Sequence, residues 1–322
     1  EVVMAFVEQG IGTRKALSLI GLSPGSYYRK AVGPRRGRPA DATTCKDDGS
    51  LHGNGEVVSD IRELLSMPYV DYGYRKVGVW LRDRRQWVIN HKKVYRLMRG
   101  AGLLNPKRVW AALSRTRALG CSPEPDGPGK HLEIDIKSVW VHGARRNALV
   151  LSAVDLFHRE WFEYVADWRI TAVDVERMVR AIVATLPQGV WIRTDNGGQF
   201  VAHRLAGALA QLKVNHEFIR PATPQQNAHI ESFHSIMQGA LVARFEFESI
   251  DDLKAHLAAF REFYNHHRIH SATADYPPVV FLERWKAGQI GVGKDKNGRR
   301  KFFRAREPLA PTASEAIIGV TQ

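Results

Sequence analysis

Three acidic residues stand where their spacing could do chemistry: Asp135 in "EIDIK", Asp195 in "WIRTDNGGQF" and Glu231 in "NAHIESFH", separated by 59 and then 35 intervening residues. Trp191, Ile192 and Thr194 read as a buried strand, and Asp195 arrives where that strand must turn, followed by Asn196, Gly197 and Gly198. Asp and Asn cap turns and Gly accepts positive φ, so Asp195 by itself would be an ordinary strand closure. Partners at Asp135 and Glu231 change that reading. Three clustered carboxylates repel one another and raise their own pKa values unless a cation compensates them. An all-oxygen set without Cys or His suits Mg²⁺ or Mn²⁺, and two such ions about 4 Å apart can activate a nucleophile and stabilise the leaving oxygen in phosphoryl transfer.

Residues so far apart in sequence need a sheet to bring them together. "HLEIDIKSVWV" and "REWFEYVAD" alternate, "NALVLSAVDLF" is apolar, and short turns join the three as consecutive antiparallel strands. In the first of them Ile134 and Ile136 point away from the face that carries Asp135. A helix over about 171–186, a strand at 190–194, a helix from near Gln199 and a strand at 213–219 follow. This order predicts an α/β core, a mixed five-stranded sheet with flanking helices. The next helix is expected to take Thr223 as N-cap, Pro224 at its first position and Gln226 to complete a capping box. Glu231 then lies two turns in, beside the core residues Ile230 and Phe233, and further helix runs to about 268.

Charge is unevenly placed along the 322 residues, whose net is +14. Residues 1–130 hold 23 Lys/Arg against 12 Asp/Glu, 131–290 hold 17 against 18, and 291–322 hold 7 against 3. Basic ends around a near-neutral middle fit a polyanion such as DNA, with a solubilising surface as the alternative. Two cysteines, Cys45 and Cys121, exclude a disulfide framework and a Cys-x-x-Cys zinc site and point to a reducing compartment. No apolar run reaches the roughly 18 residues a bilayer demands, and "EVVMAFVEQG" lacks the marks of a signal peptide, so no membrane partner and a cytoplasmic location are expected. A first residue that is Glu1 rather than Met points to an incomplete or processed beginning.

Small all-α modules precede the core. Residues 2–30 have the rhythm of two or three short helices, with Ser23 as N-cap and Pro24 behind it. Within 72–104, Asn90 can cap a helix whose Val94, Leu97, Met98 and Ala101 form the buried face. Lys92, Arg96 and Arg99 then share another side, with Lys93 beside them, as cations for a phosphate backbone or as a solvated charge face. The expected organisation is a helix-turn-helix-like segment at 1–32, a linker at 33–55 and a helix-turn-helix DNA-binding domain at 56–104. A basic, Pro/Gly-rich linker at 105–130, the core at 131–290 and a basic tail at 291–322 complete it.

The runs "TDNGGQF" and "PATPQQNAHIESFH", with 35 residues between Asp195 and Glu231, resemble the DDE transposases of the IS-three family, relatives of retroviral integrases. Upstream, "YGYRKVGVWLRDRRQWVINHKKVYRLMRGAGLL" is similar to that family's helix-turn-helix segment, and downstream "FYNHHRIHSATADYPPVVF" resembles its closing region. The resemblance covers about residues 60–285. It implies an RNase H-like core and catalytic, metal-holding carboxylates at Asp135, Asp195 and Glu231. It also implies two Mg²⁺ (or Mn²⁺) ions per site, and cleavage and strand transfer at the ends of an insertion sequence. The implied partners are double-stranded DNA (terminal inverted repeats and target), a homo-oligomer that holds both ends, and an upstream-frame protein or frameshift fusion of which this chain is the downstream part.

Departures from the family pattern are local. The family commonly has a basic residue seven positions after the glutamate, where this chain has Gln238, with Ser235 at the fourth. Both share a helix face with Asn227 and Glu231, which makes Asn227, Ser235 and Gln238 candidate neutral DNA contacts. Lys137 stands where a threonine is usual and is a candidate local cation. Asp155 reads as a hairpin-turn residue or a fourth carboxylate. His266, His267 and His270 read as packing or phosphate contacts, and Trp161, Phe162 and Trp168 as core. Two rival functions stay open: a DNA-binding regulator or transposition inhibitor with a non-productive core, and a metal-dependent nuclease that does not join.

Overall fold

Period-two alternation across residues 131–141 produces the strand on which the rest is organised. In the computed structural model, which describes residues 2–28, 41–105, 125–219 and 227–305, this strand pairs on both sides. The chain divides into two units, Glu1–Thr43 and Thr44–Gln322. In the first, helices α1 (Val2–Glu8), α2 (Thr13–Leu19) and α3 (Pro24–Tyr27) pack around Val3, Ala16 and Leu17. Ser23 caps α3 as expected, accepting from the Ser26 N–H at 3.1 Å.

The second unit begins with a small sheet, β1 (Thr43–Lys46), β2 (Leu51–Gly53) and β3 (Trp87–Val88), and three helices, α4 (Asn54–Ser66), α5 (Tyr74–Arg85) and α6 (His91–Gly100). The expected linker at 33–55 is therefore corrected over 43–53: Cys45 and Lys46 pair with Val88 and Trp87, strands that neither segment could hold alone. Val57, Ile61, Leu64, Val77, Leu81, Trp87, Val94 and Met98 form one core there, which Ile269 joins from far downstream. Asn90 caps α6 through its side chain, at 2.9 Å from the Lys93 N–H. Of the segment expected as a second linker, 106–124 lie outside the described residues, as does Cys121.

The main sheet contains β4 (His131–Val141), β5 (Arg146–Asp155), β6 (Trp161–Asp167), β7 (Trp191–Thr194) and β8 (Asn215–Phe218), in the order β6-β5-β4-β7-β8. The first three are antiparallel, and β7 and β8 run parallel to β4. Helices α7 (Ala172–Val183) and α8 (His203–Gln211) cover one face through Leu132, Ile134, Leu151, Val175 and Leu205. Helices α9 (Ala228–Met237) and α10 (Ile250–Glu262) cover the other through Val139, Val150, Trp161, Ile230, Phe233 and Phe260. Each fully buried large side chain contributes roughly 1.5–3 kcal/mol. Trp161 is part of this core, as its sequence setting suggested, whereas Trp168 is half-buried under the Arg146 guanidinium.

Helix α11 (Pro278–Lys286) leads into a hairpin of β9 (Ile290–Lys294) and β10 (Arg300–Arg304). The expected tail at 291–322 is thus corrected over its first part: Ile290 and Phe302 are buried with Phe157, Phe281 and Ala274. At Gly291 a Cβ would meet the Phe303 ring at 2.2 Å, so a larger residue there would displace that ring. Among the described residues no helix is long and apolar enough to cross a membrane.

Candidate active site

Strand register brings the two aspartates together. On parallel strands β4 and β7, His131 pairs with Trp191, Leu132 with Ile192 and Glu133 with Arg193, a constant offset of 60. Asp135 and Asp195 have the same offset. Continuing the register sets Asp135, in the middle of β4, beside Asp195, which directly follows the carboxyl end of β7. Strands in such a pair lie about 4.8 Å apart.

The turn after β7 is built around Asp195. Its Oδ1 accepts from the Gly197 N–H at 2.9 Å, and the Asn196 side chain donates to the Ile219 carbonyl at 2.8 Å. A Cβ on Gly197 would lie 3.0 Å from Asp195 Oδ1 and 2.5 Å from Gln199 Nε2, so glycine leaves room for the carboxylate. Asp195 thus caps its own turn, and its charge also reaches Asp135.

Helix α9 brings the third carboxylate, in its first turn. Burial pushes Asp135 up to about 6, and the nearby charges of Asp195 and Glu231 add to the rise against the opposing Ile136 N–H and Lys137. Glu231 is also raised by burial. Asp135 therefore feels both of the other carboxylates. Among the described residues no three His, Cys, Asp or Glu side chains form a ready-made metal cluster. The donor set is nonetheless of the right kind for a hard cation, whose charge would relieve the repulsion that lifts Asp135. Lys137 is half-buried and within Coulombic reach of Asp135, and burial lowers its own pKa.

Two neighbours of the site are not apparent from the motifs. His234, three residues beyond Glu231 and so on an adjoining part of the helix face, has its Nδ1 3.6 Å from Asp135 Oδ2. Burial, with Lys137 adding, pushes it down to about 4, so it is neutral near pH 7. The second is an ionic row one step below the aspartates. Glu133 Oε1 accepts from Arg193 Nη1 at 3.0 Å, and Arg193 Nε donates to Glu217 Oε2 at 2.9 Å. Glu133 Oε2 accepts from the Ile230 N–H of α9 at 2.7 Å. Burial pushes Glu133 up to about 7 against the lowering effect of Ile230 and Arg193.

The other sequence candidates separate clearly. Ser235 and Gln238 are exposed on the Glu231 side of α9, but Asn227 is 3% exposed, its Oδ1 buried without a partner among the described residues, and does not stand on that open face. The expected capping residues Thr223, Pro224 and Gln226 lie outside the described residues. Lys92, Arg96 and Arg99 are exposed together on α6, whereas Lys93 is half-buried. Asp155 is fully buried as a turn cap, accepting from the Gly129, Phe157 and His158 N–H groups and from His158 Nδ1. His270 is buried against Tyr264, His266 lies 3.1 Å from Glu262, and His267 is exposed.

The chain is similar to known proteins. Residues 125–224 and 212–278 each match an "Integrase core domain" family model, and 56–109 match an "HTH-like domain". The chain is 30% identical over 282 residues to the uncharacterized 39.2 kDa protein of insertion element IS476 from Xanthomonas euvesicatoria, covering 87% of this chain and 75% of that protein. It is 25% identical over 220 residues to the transposase for insertion sequence element IS904 from Lactococcus lactis, covering 62% and 82%. Among solved structures, the catalytic core of BIV integrase aligns with a TM-score of 0.36 at 19% identity, over 49% of this chain and 97% of that one. The core is RNase H-like, a mixed five-stranded sheet with flanking helices behind a helical amino-terminal region. With an integrase core, an HTH-like module and insertion-element relatives in one collinear chain, the protein belongs to the IS-three family of insertion-sequence transposases.

Proposed function

We propose that this chain performs metal-dependent cleavage and strand transfer at the ends of its insertion sequence, with Asp135, Asp195 and Glu231 as the catalytic carboxylates. What supports the reading above all is the offset of 60 shared by the β4–β7 register and by the two aspartates, with Asp195 and Glu231 both raising the Asp135 pKa. Asp135, Asp195 and Glu231 would hold two Mg²⁺ or Mn²⁺ ions. When bound, such ions supply charge stabilisation to the attacking and leaving oxygens of phosphoryl transfer.

The chain's own groups do the rest. Asp135 is half-protonated near pH 6 without a compensating charge, so the bound state of the site requires it to give up that proton. Neutral His234 lies beside it without adding a second positive charge. Lys92, Arg96 and Arg99 hold duplex DNA by its phosphates, while Ser235 and Gln238 reach the strand beside Glu231 through neutral hydrogen bonds. In the first displacement water attacks the phosphorus at the element end, the P–O3′ bond breaks and a 3′-hydroxyl is released. In the second that 3′-oxygen attacks a target phosphodiester, a new P–O bond forms and the target's own 3′-oxygen leaves. A homo-oligomer would hold the two ends, since one site engages one end at a time.

Labelled DNA carrying an element end, incubated with the full chain, tests this. In Mg²⁺ both nicked and joined products are expected; in Ca²⁺, which accepts looser and more numerous ligands, binding without most of the chemistry. Asp195→Asn should bind DNA and yield neither product. Nicking without joining would favour the nuclease reading, and binding without either reaction in the wild type would favour the regulator.

A further inference from the structure

A row of alternating charge crosses three strands beneath the aspartates. Glu133 pairs in register with Arg193, and Arg193 with Glu217, so the side chains form a negative–positive–negative line over β4, β7 and β8. Asp135 lies two residues further along β4 and, by strand periodicity, on the same face as Glu133, and Asp195 follows the end of β7, two residues past Arg193. The Glu133 residue is 0% exposed, a position that a carboxylate occupies only when its oxygens are engaged. Both are: Oε1 takes the guanidinium, and Oε2 takes the Ile230 N–H.

That N–H belongs to the first turn of α9, where backbone donors have no partner within the helix and the dipole favours a negative charge. Glu133 therefore anchors the start of α9 to the sheet, one residue before Glu231. A single carboxylate touches the strand of Asp135, is paired with the strand of Asp195 and holds the helix of Glu231.

We propose that Glu133 is a positioning residue that sets Glu231 against Asp135 and Asp195, with Arg193 fixing its orientation. The proposal rests on the three-carboxylate reading of the site. Its chemistry follows from the count of acceptors. A carboxylate offers two oxygens, one to Arg193 and one to Ile230, whereas the isosteric amide of glutamine has one oxygen and an NH₂ that repels whichever donor it faces. Glu133→Gln thus breaks one of the two contacts. It leaves Arg193 paired with Glu217, so the guanidinium is not stranded. Arg159 also acts on Glu133 through its charge.

Glu217→Gln is the matched control: it removes the same charge from the same row, at a residue on β8 that accepts from Arg193 Nε. Mn²⁺ binding to the full chain, read from the electron paramagnetic resonance of free Mn²⁺, is measured beside DNA binding and the thermal midpoint. Glu133→Gln is expected to weaken Mn²⁺ binding 10- to 100-fold, the range for partners that orient metal-holding groups, with DNA binding unchanged. Glu217→Gln should stay within about 2-fold of wild type, because the Glu133–Arg193 pair survives. Equal Mn²⁺ binding in the two variants, whether both normal or both weakened alike, would overturn the proposal. If Glu133→Gln does not fold, Glu133→Asp keeps the charge and falls one methylene short of spanning both partners. It should weaken Mn²⁺ in the same direction, and wild-type binding by it would equally overturn the proposal. A Glu231→Gln sample run in parallel separates the two levels, since unchanged Mn²⁺ binding there refutes the three-carboxylate site itself.

Discussion

Asp71→Asn should loosen the helical module of α4, α5 and α6 from the catalytic core. Asp71 Oδ1 lies 2.6 Å from Arg268 Nη1, and the two side chains are 18% and 3% exposed. Beside them the Tyr72 hydroxyl accepts from the Ile269 N–H at 3.0 Å, and Ile269 is packed into the module's core. Burial would raise Asp71, but Arg268, Lys76 and Arg244 outweigh it and hold the carboxyl below its usual range. Lys76, pushed down to about 8 by burial and by Arg268, depends on the same carboxylate. Removing one partner of a buried pair costs about 3–5 kcal/mol. Asn keeps the shape and one acceptor oxygen, and Asp71 is reached by some water, so the cost falls at or below the bottom of that range, about 2–3 kcal/mol. That is a large share of the ~5–15 kcal/mol that stabilises a typical protein. Hydrogen exchange is the discriminating assay: amides of α4, α5 and α6 should exchange roughly 30-fold faster or more, at about 1.4 kcal/mol per factor of ten, while those of β4 and β5 stay protected. Unchanged exchange in the module would refute the view that this ion pair docks it to the core.

Two further outcomes follow from the charges. Changing Lys92, Arg96 and Arg99 together to Ala should lower the salt dependence of duplex binding by up to about three times 0.9 in slope; an unaltered slope would mean that this face of α6 is only solvated. His158 is buried between Asp155 at 2.6 Å and Glu160 at 2.7 Å, and although burial opposes its charge, those carboxylates lift it to about 9 from 6.5. A histidine raised in this way stabilises the fold fully below pH 6.5 and loses that contribution as pH climbs through about 9, on the order of 3 kcal/mol in all. Urea midpoints at pH 6 and pH 9.5 should therefore differ more for the wild type than for His158→Gln, and an equal difference would sink the assignment.

Much of the core was legible because its cues are local. Alternation marked β4 and β6, an apolar run marked β5, and the spacing of Asp135, Asp195 and Glu231 pointed to the proposed site. The hairpins were hidden for physical reasons. β1 and β2 are too short to show a period and acquire their partner only at Trp87 and Val88, and β9 is interrupted by Gly291 and Gly293, which make room for Phe303. Glu133 reads in sequence as the polar phase of an alternating strand, like Asp135 two residues on. Its burial becomes intelligible only with an arginine sixty residues away and a helix donor at Ile230. Asn227 fits the helical spacing of Glu231, but it stands before the first turn of α9 and turns inward.

The central claim is that Asp135, Asp195 and Glu231 form one metal-dependent site for both displacements. Glu231→Gln tests it most directly, because it preserves the shape of an exposed helical side chain and removes only a negative charge. The measurement is end cleavage and strand transfer by the full chain in Mg²⁺, with DNA binding followed in the same samples. Both reactions should fall by orders of magnitude together while binding through α6 persists. A Glu231→Gln protein that cleaves and joins ends at the wild-type rate would contradict the account.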